Sequence, residues 1–252
     1  RMLKAERHDR ILSELARRGA VGVEEMATVL GVSTATVRRD LAELEQQGLL
    51  RRTHGGATLL EDHDELPYRF KVTALLPEKR RIGATAAAMI KDGQVIACTG
   101  GTTVTQVIKA LRNKRVTVVT NAVNVAAELA SAPGVEVIVS GGRLRSQSYE
   151  MVGHVAERTI REFVADVVII GVDGLSLEYG LTTFSHEEAQ VNRAFIEQGR
   201  ETWVVADHTK LGRVTPAVIA PIDRIRCLIT DTAAPPDFLR AVEARGVRTV
   251  TA

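Results

Sequence analysis

The chain has 252 residues, of which 45% are hydrophobic, and a formal net charge of +2. This composition supports a sizeable core in one or two domains and argues against a membrane protein, since no apolar run reaches the roughly 18 residues that a spanning helix needs. No export signal is recognisable, so we expect a cytoplasmic protein. The small net charge does not by itself indicate nucleic-acid binding. We expect Cys98 and Cys227, which lie in apolar runs, to be buried thiols.

The first sixty residues predict three helices. Residues 4–18 carry apolar side chains on one side, and apolar residues at helical spacing predict a second, shorter helix from Val23 to Leu30. That helix ends at Gly31, and Ser33 is a good N-cap for a third helix. Two helices joined by a tight glycine turn are typical of a helix-turn-helix.

The third helix has a core side and an outer side. Val37, Leu41 and Leu44 share one side at about 100° per residue, while small residues and arginines on the other side suit a DNA major groove. Residues 49–52 and a Gly55-Gly56 turn predict a small β-wing, so the module is a winged helix. Because the net charge is small, these local cations must provide the affinity for double-stranded DNA, doubled in a homodimer or higher oligomer. The residues expected to contact DNA are Ser33, Thr34, Ala35, Thr36, Arg38, Arg39, Arg51, Arg52 and His54.

Residues 59–76 lose periodicity, contain an acidic run and Pro67, and are followed by Pro77, which predicts a hinge between a DNA-binding domain at 1–58 and an effector and oligomerisation domain at 77–252. In the larger domain, helical patterns alternate with short β-branched runs, as in a doubly wound, mostly parallel α/β sheet. The predicted strands lie at residues 95–98, 116–120, 135–140, 167–171, 202–206 and 227–230.

Polar and glycine-rich residues follow these strands, at the edge where open α/β sheets bind ligands. The glycines and threonines at 99–103, followed by a helix at 102–111, predict a phosphate site assisted by Lys210, with Asp173 accepting hydrogen bonds from sugar or polyol hydroxyls. The six histidines lack metal-ligand spacing, and we expect no metal, cofactor or catalytic residue. The residues expected to bind the effector are Thr99, Gly100, Gly101, Thr102, Thr103, Asn121, Gly142, Arg143, Asp173, Glu188, Asp207 and Lys210.

The N-terminal pattern resembles the DeoR family of bacterial transcriptional regulators. The resemblance lies in Val23-x-x-Met26-Ala27-x-x-Leu30-x-Val32-Ser33-x-x-Thr36-Val37-Arg38-Arg39-Asp40-Leu41-x-x-Leu44 and in Arg52-x-His54-Gly55-Gly56-Ala57. The C-terminal part resembles the effector domain of that family through Glu78-Lys79-x-x-Ile82-Gly83, Gly101-Thr102-Thr103, Val119-Thr120-Asn121, Gly141-Gly142, Asp173-Gly174, Gly180-Leu181-Thr182-Thr183, Glu187-Glu188-Ala189 and Asp207-x-Thr209-Lys210. The resemblance implies a winged helix and a sugar-phosphate-sensing domain related in fold to ribose-5-phosphate isomerase.

The chain departs from the family pattern mainly around the expected ligand. Thr99 and Gly100 stand where the family commonly has an acidic and a small hydroxyl residue, Val104 replaces a frequent threonine, and Asn192 stands where lysine or arginine is frequent. Met26 replaces a leucine and preserves apolar volume. These departures leave the identity of the effector open.

Two classes of function are compatible with the pattern. The first is a transcriptional repressor of a sugar or polyol catabolic operon whose DNA affinity changes when a phosphorylated sugar or polyol binds. The second is a sugar-phosphate isomerase with an N-terminal extension, in which an acid such as Glu188 moves protons. The related isomerase uses a cluster of acids and a lysine-bearing glycine-rich loop between the corresponding strand and helix. The sequence favours the first function, because residues 161–200 contain no lysine and Asp173-Gly174 is followed by Leu175-Ser176 rather than by further acids. The operator sequence, the direction of the effector's influence and the oligomer number stay open.

Overall fold

A computed structural model describes residues 2–58 and 65–252, and the chain divides into two compact units between Leu76 and Pro77. The described part of the N-terminal unit contains helices α1 (Lys4–Arg18), α2 (Val23–Leu30), α3 (Thr34–Gln46) and α4 (Tyr68–Lys71). Its strands are β1 (Ala20–Gly22), β2 (Arg51–Thr53) and β3 (Gly56–Thr58). No helix among the described residues is long and apolar enough to cross a membrane.

The turn between α2 and α3 has the predicted chemistry. Gly31 ends α2 in the left-handed conformation with φ of 64°, which glycine adopts without steric cost. Ser33 then caps α3, because its side-chain oxygen accepts a hydrogen bond from the Thr36 amide at 3.2 Å. The predicted helix-turn-helix is confirmed.

The wing differs in detail from the sequence prediction. Within the described residues, β3 lies between β1 and β2 in an antiparallel sheet, so Gly56 belongs to a strand rather than to the turn. A Cβ atom on Gly56 would overlap the carbonyl oxygen of Val21 and lie 2.9 Å from its carbonyl carbon. The absence of a side chain therefore allows β1 to approach β3. Strand β1 was not predicted, because three residues between two helices show no alternation.

The segment predicted to be a hinge is partly helical. Residues 59–64 of that prediction lie outside the described residues, but α4 follows and buries Phe70 in the core of the N-terminal unit. The proposed boundaries of the hinge and of the two domains stay a prediction.

Residues 77–252 contain a seven-stranded parallel sheet in the order β15-β14-β12-β9-β4-β5-β6. Its strands are β4 (Val95–Cys98), β5 (Val116–Thr120), β6 (Val135–Val139), β9 (Ala165–Ile170), β12 (Gly199–Val205), β14 (Cys227–Thr230) and β15 (Arg248–Thr251). The predicted parallel α/β sheet is confirmed. Strand β15 was missed because Arg248 and the threonines of this edge strand give it little apolar character. Both cysteines are buried and free, as expected.

Helices cover both faces of the sheet. One face carries α5 (Leu76–Met89), α6 (Thr102–Ala110) and α7 (Val123–Leu129), and the other carries α8 (His154–Ile160), α9 (His186–Gln198) and α10 (Pro236–Glu243). The chain proceeds from β4 through β5 to β6 and then returns to the other side of β4 to form β9. The helices after β4 and β9 therefore diverge, and the carboxyl ends of these two strands form the switch point at which open α/β sheets bind ligands.

Short antiparallel strands extend over this carboxyl edge. Strands β7 (Arg143–Arg145) and β8 (Glu150–Val152) form a hairpin, whereas β10 (Gly174–Ser176), β11 (Gly180–Thr183) and β13 (Ala217–Ala220) form a second small sheet. None of them was predicted, because strands of three or four residues rich in Gly, Thr and Arg resemble loops. They bring additional polar side chains to the edge.

The close approach at Gly56 gives a test of the wing. We expect Gly56→Ala to destabilise the N-terminal unit by about 2 kcal/mol or more, because the added Cβ overlaps backbone atoms that cannot move without separating β1 from β3. Hydrogen exchange of the β1 and β3 amides in the full chain measures this loss.

Gly55→Ala is the matched control, since a Cβ there meets no atom within 4 Å. Equal protection of the amides in the two variants would contradict the role assigned to Gly56.

Candidate DNA interface and effector site

The outer side of α3 is open to solvent. Ser33, Ala35, Arg38 and Arg39 are exposed, and Thr34 and Thr36 are half-buried. Within the described part of the chain neither Arg38 nor Arg39 forms an ion pair. Val37, Leu41 and Leu44 are buried in the core of this unit, as predicted.

The wing continues the basic surface. Arg51, Arg52 and His54 are exposed. The Arg52 amide donates a hydrogen bond to Glu45 Oε1 at 2.8 Å, which ties the wing to the last turn of α3. The unit therefore presents helix and wing as one cationic surface, and the DNA contacts of its individual residues stay a prediction.

An ion pair between the partly buried Arg7 and the buried Asp40 fixes the inner side of α3, and its role was not predicted. Asp40 is 2% exposed and accepts hydrogen bonds from Arg7 Nε at 2.7 Å and Arg7 Nη2 at 2.9 Å. His8 Nε2 lies 3.3 Å from the same carboxylate. Burial raises the pKa of Asp40, but the bonds and charge of Arg7 and the neighbouring His8 outweigh burial and lower it. The spacing from Val37 to Leu44 already placed Asp40 on the core side.

The carboxyl end of β4 leads into α6 through the predicted glycine loop. Gly101 has φ of 109°, which side chains disfavour, and α6 begins at the next residue. The first-turn amides of α6, at Thr102 and Thr103, therefore have no hydrogen-bond acceptor within the helix and are suited to an anion. Thr99 is buried, and its hydroxyl accepts a hydrogen bond from the Gly171 amide at 3.3 Å, which links the ends of β4 and β9.

A second group of polar side chains follows β9. The Thr183 hydroxyl lies 3.0 Å from Asp173 Oδ2 and 3.1 Å from Glu188 Oε2. Arg145 donates from Nη1 to Glu188 Oε1 at 2.9 Å. Glu188 is 3% exposed, whereas Asp173 is half-buried. These contacts bring two of the predicted residues together through Thr183, which was not predicted.

The end of β12 carries a buried carboxylate between cations. Asp207 is 2% exposed and accepts a hydrogen bond from the Thr209 amide at 3.0 Å. Burial raises the pKa of Asp207, but the charges of Lys210 and Lys79 and the hydrogen bonds from Thr209 lower it overall. Lys79 is 4% exposed. Two ammonium groups therefore lie near the carboxyl edge, where an anionic ligand would approach.

The remaining predicted residues have structural contacts of their own. Asn121 is buried, and its Nδ2 donates to the Met151 carbonyl at 3.0 Å. Arg143 is exposed and pairs with Glu187. Gly142 has φ of 130°, and a Cβ on it would lie 2.8 Å from the Val152 carbonyl oxygen. The proposal that these three residues contact the effector stays a prediction.

Four residues at this edge lie outside the predicted effector set, although two of them, Lys79 and Thr183, belong to motifs that carry the family resemblance: Lys79, Arg145, Glu150 and Thr183. Lys79 gave a usable signal, since Lys79, Ile82, Gly83 and Ala86 share the buried side of α5 at helical spacing. Glu150 and Arg145 lie in the hairpin β7–β8, and Thr183 lies in β11. No local pattern predicted those strands, so their position at the edge could not be inferred.

The Asp40–Arg7 pair makes a testable contribution to the N-terminal unit. We expect Asp40→Asn to lower the free energy of unfolding of this unit by about 2 kcal/mol near neutral pH, because the partly buried Arg7 loses its charge-assisted hydrogen bonds to the carboxylate. Amide hydrogen exchange of α3 in the full chain reports the change.

The pH dependence follows from the lowered pKa of Asp40. The pair contributes its full stabilisation of the folded state at pH values above the pKa of Asp40 in the unfolded chain, about 3.9. This stabilisation is lost as the pH falls through the lower pKa of Asp40 in the folded state. Asp40→Asn should lack that part of the acid sensitivity, whereas the exposed control Asp9→Asn should retain it. An unchanged acid profile in Asp40→Asn would contradict this assignment.

Family comparisons cover almost the whole chain. The family model of a DeoR-like helix-turn-helix domain matches residues 7–63, and that of the DeoR C terminal sensor domain matches residues 76–232. The chain is 33% identical over 250 residues to a putative aga operon transcriptional repressor of Escherichia coli O157:H7, covering 98% of this chain and 93% of that protein. It is 32% identical over 242 residues to the glycerol-3-phosphate regulon repressor of Escherichia coli strain K12, covering 96% of each chain.

Solved structures share parts of the fold. A ribose 5-phosphate isomerase A from Methanocaldococcus jannaschii superimposes with a TM-score of 0.40 at 17% identity and covers 53% of each chain. The translation initiation factor eIF-2B of Pyrococcus horikoshii OT3 gives a TM-score of 0.48 at 18% identity over 88% of this chain and 94% of that one.

The family models agree with a helix-turn-helix in the N-terminal unit and with a sensor domain in the C-terminal unit. The relatives are transcriptional repressors, which decides between the two classes of function that the sequence left open. The chain belongs to the DeoR family and is a DNA-binding transcriptional regulator rather than an enzyme.

Proposed function

We propose that this regulator represses a sugar or polyol catabolic operon in the cytoplasm, and that a phosphorylated sugar or polyol bound at the carboxyl edge of the sheet controls its DNA affinity. One observation carries the proposal: the N-terminal unit exposes arginines on a capped helix, while the C-terminal unit has lysines and buried carboxylates that follow the carboxyl ends of its parallel strands. Relatives named for an aga operon and for a glycerol-3-phosphate regulon support this class of target.

DNA binding rests on the outer side of α3 and the wing. Arg38 and Arg39 can contact phosphates or guanine edges, and Ala35 keeps the surface low enough for close approach. Ser33, Thr34 and Thr36 supply hydroxyls, and Arg51, Arg52 and His54 extend the contact to the flanking backbone. Two copies of this surface, in a homodimer or higher oligomer, would read two half-sites.

Effector binding rests on the charge pattern at the carboxyl edge. The amides and hydroxyls of Thr102 and Thr103, together with Lys210, suit a phosphate group. Asp173 and Glu188 suit ligand hydroxyls, because ionised carboxylates accept hydrogen bonds without donating them. A ligand with a phosphate at one end and hydroxyls along its chain satisfies both groups.

Regulation requires two conformations that differ in affinity for both ligands. The effector shifts DNA binding only by the difference between its affinities for the two conformations. The titration below also determines whether the effector weakens or strengthens DNA binding.

A mobility-shift titration tests this function. The target is a duplex selected from random sequence by the full-length protein, and the added compounds are glycerol 3-phosphate, ribose 5-phosphate, glucose 6-phosphate and inorganic phosphate. We expect at least one ester to change the operator Kd by roughly fivefold or more, the lower end of common allosteric couplings. An unchanged Kd with all three esters would count against the proposal.

The recognition helix has its own test. We expect Arg38→Ala/Arg39→Ala to weaken operator binding by about tenfold or more and to reduce the slope of log K against log salt by about 0.9 for each phosphate that the variant no longer neutralises. Fluorescence anisotropy at several salt concentrations measures both quantities.

Arg17→Ala is the control, since Arg17 lies in the last turn of α1 and pairs with Glu14. Wild-type affinity in the double variant would remove both arginines from the interface.

The effector site is tested by separating DNA binding from response. We expect Lys210→Met to bind the operator as the wild type does but to need roughly ten- to a hundredfold more ester for the same response, because a charge-assisted hydrogen bond to phosphate is removed. Lys109→Met, an exposed lysine paired with Glu128, is the matched control. A normal response in Lys210→Met would exclude Lys210 from the site.

A further inference from the structure

A buried carboxylate lies against the glycine loop, on a residue outside the predicted effector set. Glu150 in β8 is 6% exposed, and its Oε1 accepts a hydrogen bond from the Gly100 amide. This amide lies in the turn from β4 into α6, close to the first-turn amides of Thr102 and Thr103. An internal anion therefore occupies the beginning of the loop that suits phosphate.

Gly100 admits this carboxylate because it has no side chain. A Cβ on Gly100 would lie 2.7 Å from Glu150 Cγ and 2.9 Å from both Cδ and Oε1, which is closer than Cβ atoms pack. Any other residue at this position would displace the Glu150 side chain. The two positions are sterically matched.

Backbone contacts hold Glu150 at this place. On one side, the Val123 amide donates to the Tyr149 carbonyl at 3.0 Å. On the other side, the Met151 amide donates to the Asn121 carbonyl at 2.7 Å, and the Asn121 side chain donates to the Met151 carbonyl at 3.0 Å. The strand that carries Glu150 is thus fixed to the end of β5, and its carboxylate reaches across to the end of β4.

We propose that Glu150 is a specificity-determining residue of the effector site, which accepts a hydrogen bond from a hydroxyl or amino group of the effector and keeps phosphate away from the Gly100 amide. The inference rests on the proposed function. A carboxylate repels a phosphate at hydrogen-bond distance and attracts a donor. The phosphate therefore binds farther along the loop, at Thr102 and Thr103 and towards the lysines, and the hydroxylated end of the ligand lies at Glu150. Such a site discriminates a phosphate ester from free phosphate.

The test compares two ligand classes in the full-length protein. Calorimetry gives the Kd of glycerol 3-phosphate, ribose 5-phosphate, glucose 6-phosphate and inorganic phosphate for the wild type and for Glu150→Gln. We expect Glu150→Gln to weaken the tightest of the three esters by about tenfold or more, the cost of losing a hydrogen bond to a charged group. The affinity for inorganic phosphate should be unchanged or higher.

Two further variants separate this role from a structural one. In Gly100→Ala, the added Cβ displaces the Glu150 carboxylate without changing Glu150 itself. This variant should lower the ratio of ester affinity to phosphate affinity, as Glu150→Gln does. Glu136→Gln, at an exposed glutamate in β6, should leave that ratio unchanged. A role confined to folding would alter both affinities by one factor.

The outcomes distinguish this inference from the function on which it rests. If the wild type binds an ester and Glu150→Gln retains the wild-type ratio, or binds ester and phosphate both more tightly, the inference is wrong and the proposed function stands. If the wild type binds none of the three esters, both are wrong.

Discussion

The reversal of strand order at β4 is the constraint on which the C-terminal unit depends. Because β5 and β9 flank β4 on opposite sides and their helices cover opposite faces, the helices after β4 and β9 diverge from the carboxyl ends of these two strands. The glycine loop after β4 turns into α6 at this switch point. The Gly171 amide donates a hydrogen bond to the Thr99 hydroxyl, and this bond holds the ends of β4 and β9 together.

The charged side chains at the carboxyl edge of the sheet form two groups, one after β12 and one after β9. The charges of Lys210 and Lys79 act on the Asp207 carboxylate after β12, while the Thr183 hydroxyl joins Asp173 to Glu188 after β9. Such an arrangement suits a ligand with unlike ends better than a symmetrical anion. In the N-terminal unit, the two sides of α3 have separate roles. The ion pair of Arg7 with the buried Asp40 fixes the inner side, and the arginines of the outer side are exposed to solvent.

Sequence reasoning succeeded where a local signal decides the local structure. Gly31 and Ser33 define the turn of the helix-turn-helix by backbone freedom and capping, and strands β4, β5 and β14 begin and end where their apolar runs do. It failed where distant contacts decide. From the sequence alone, Gly56 is predicted in a turn and Glu150 in a loop. In the structure, Gly56 lies in β3 against β1, and Glu150 lies in β8, which is bonded beside the end of β5. Arg145, Glu150 and Thr183 are of the second kind, and the contacts of the site residues with ligand or DNA stay predictions.

The two units function together only if binding at one alters binding at the other, and linkage makes that requirement measurable from the effector side. The most direct measurement is the calorimetric Kd of the active phosphate ester for the full-length protein, alone and saturated with operator DNA. We expect the two values to differ by the same factor by which the ester changes the operator Kd, because coupling between two ligands is reciprocal. Equal ester affinities with and without DNA would contradict it.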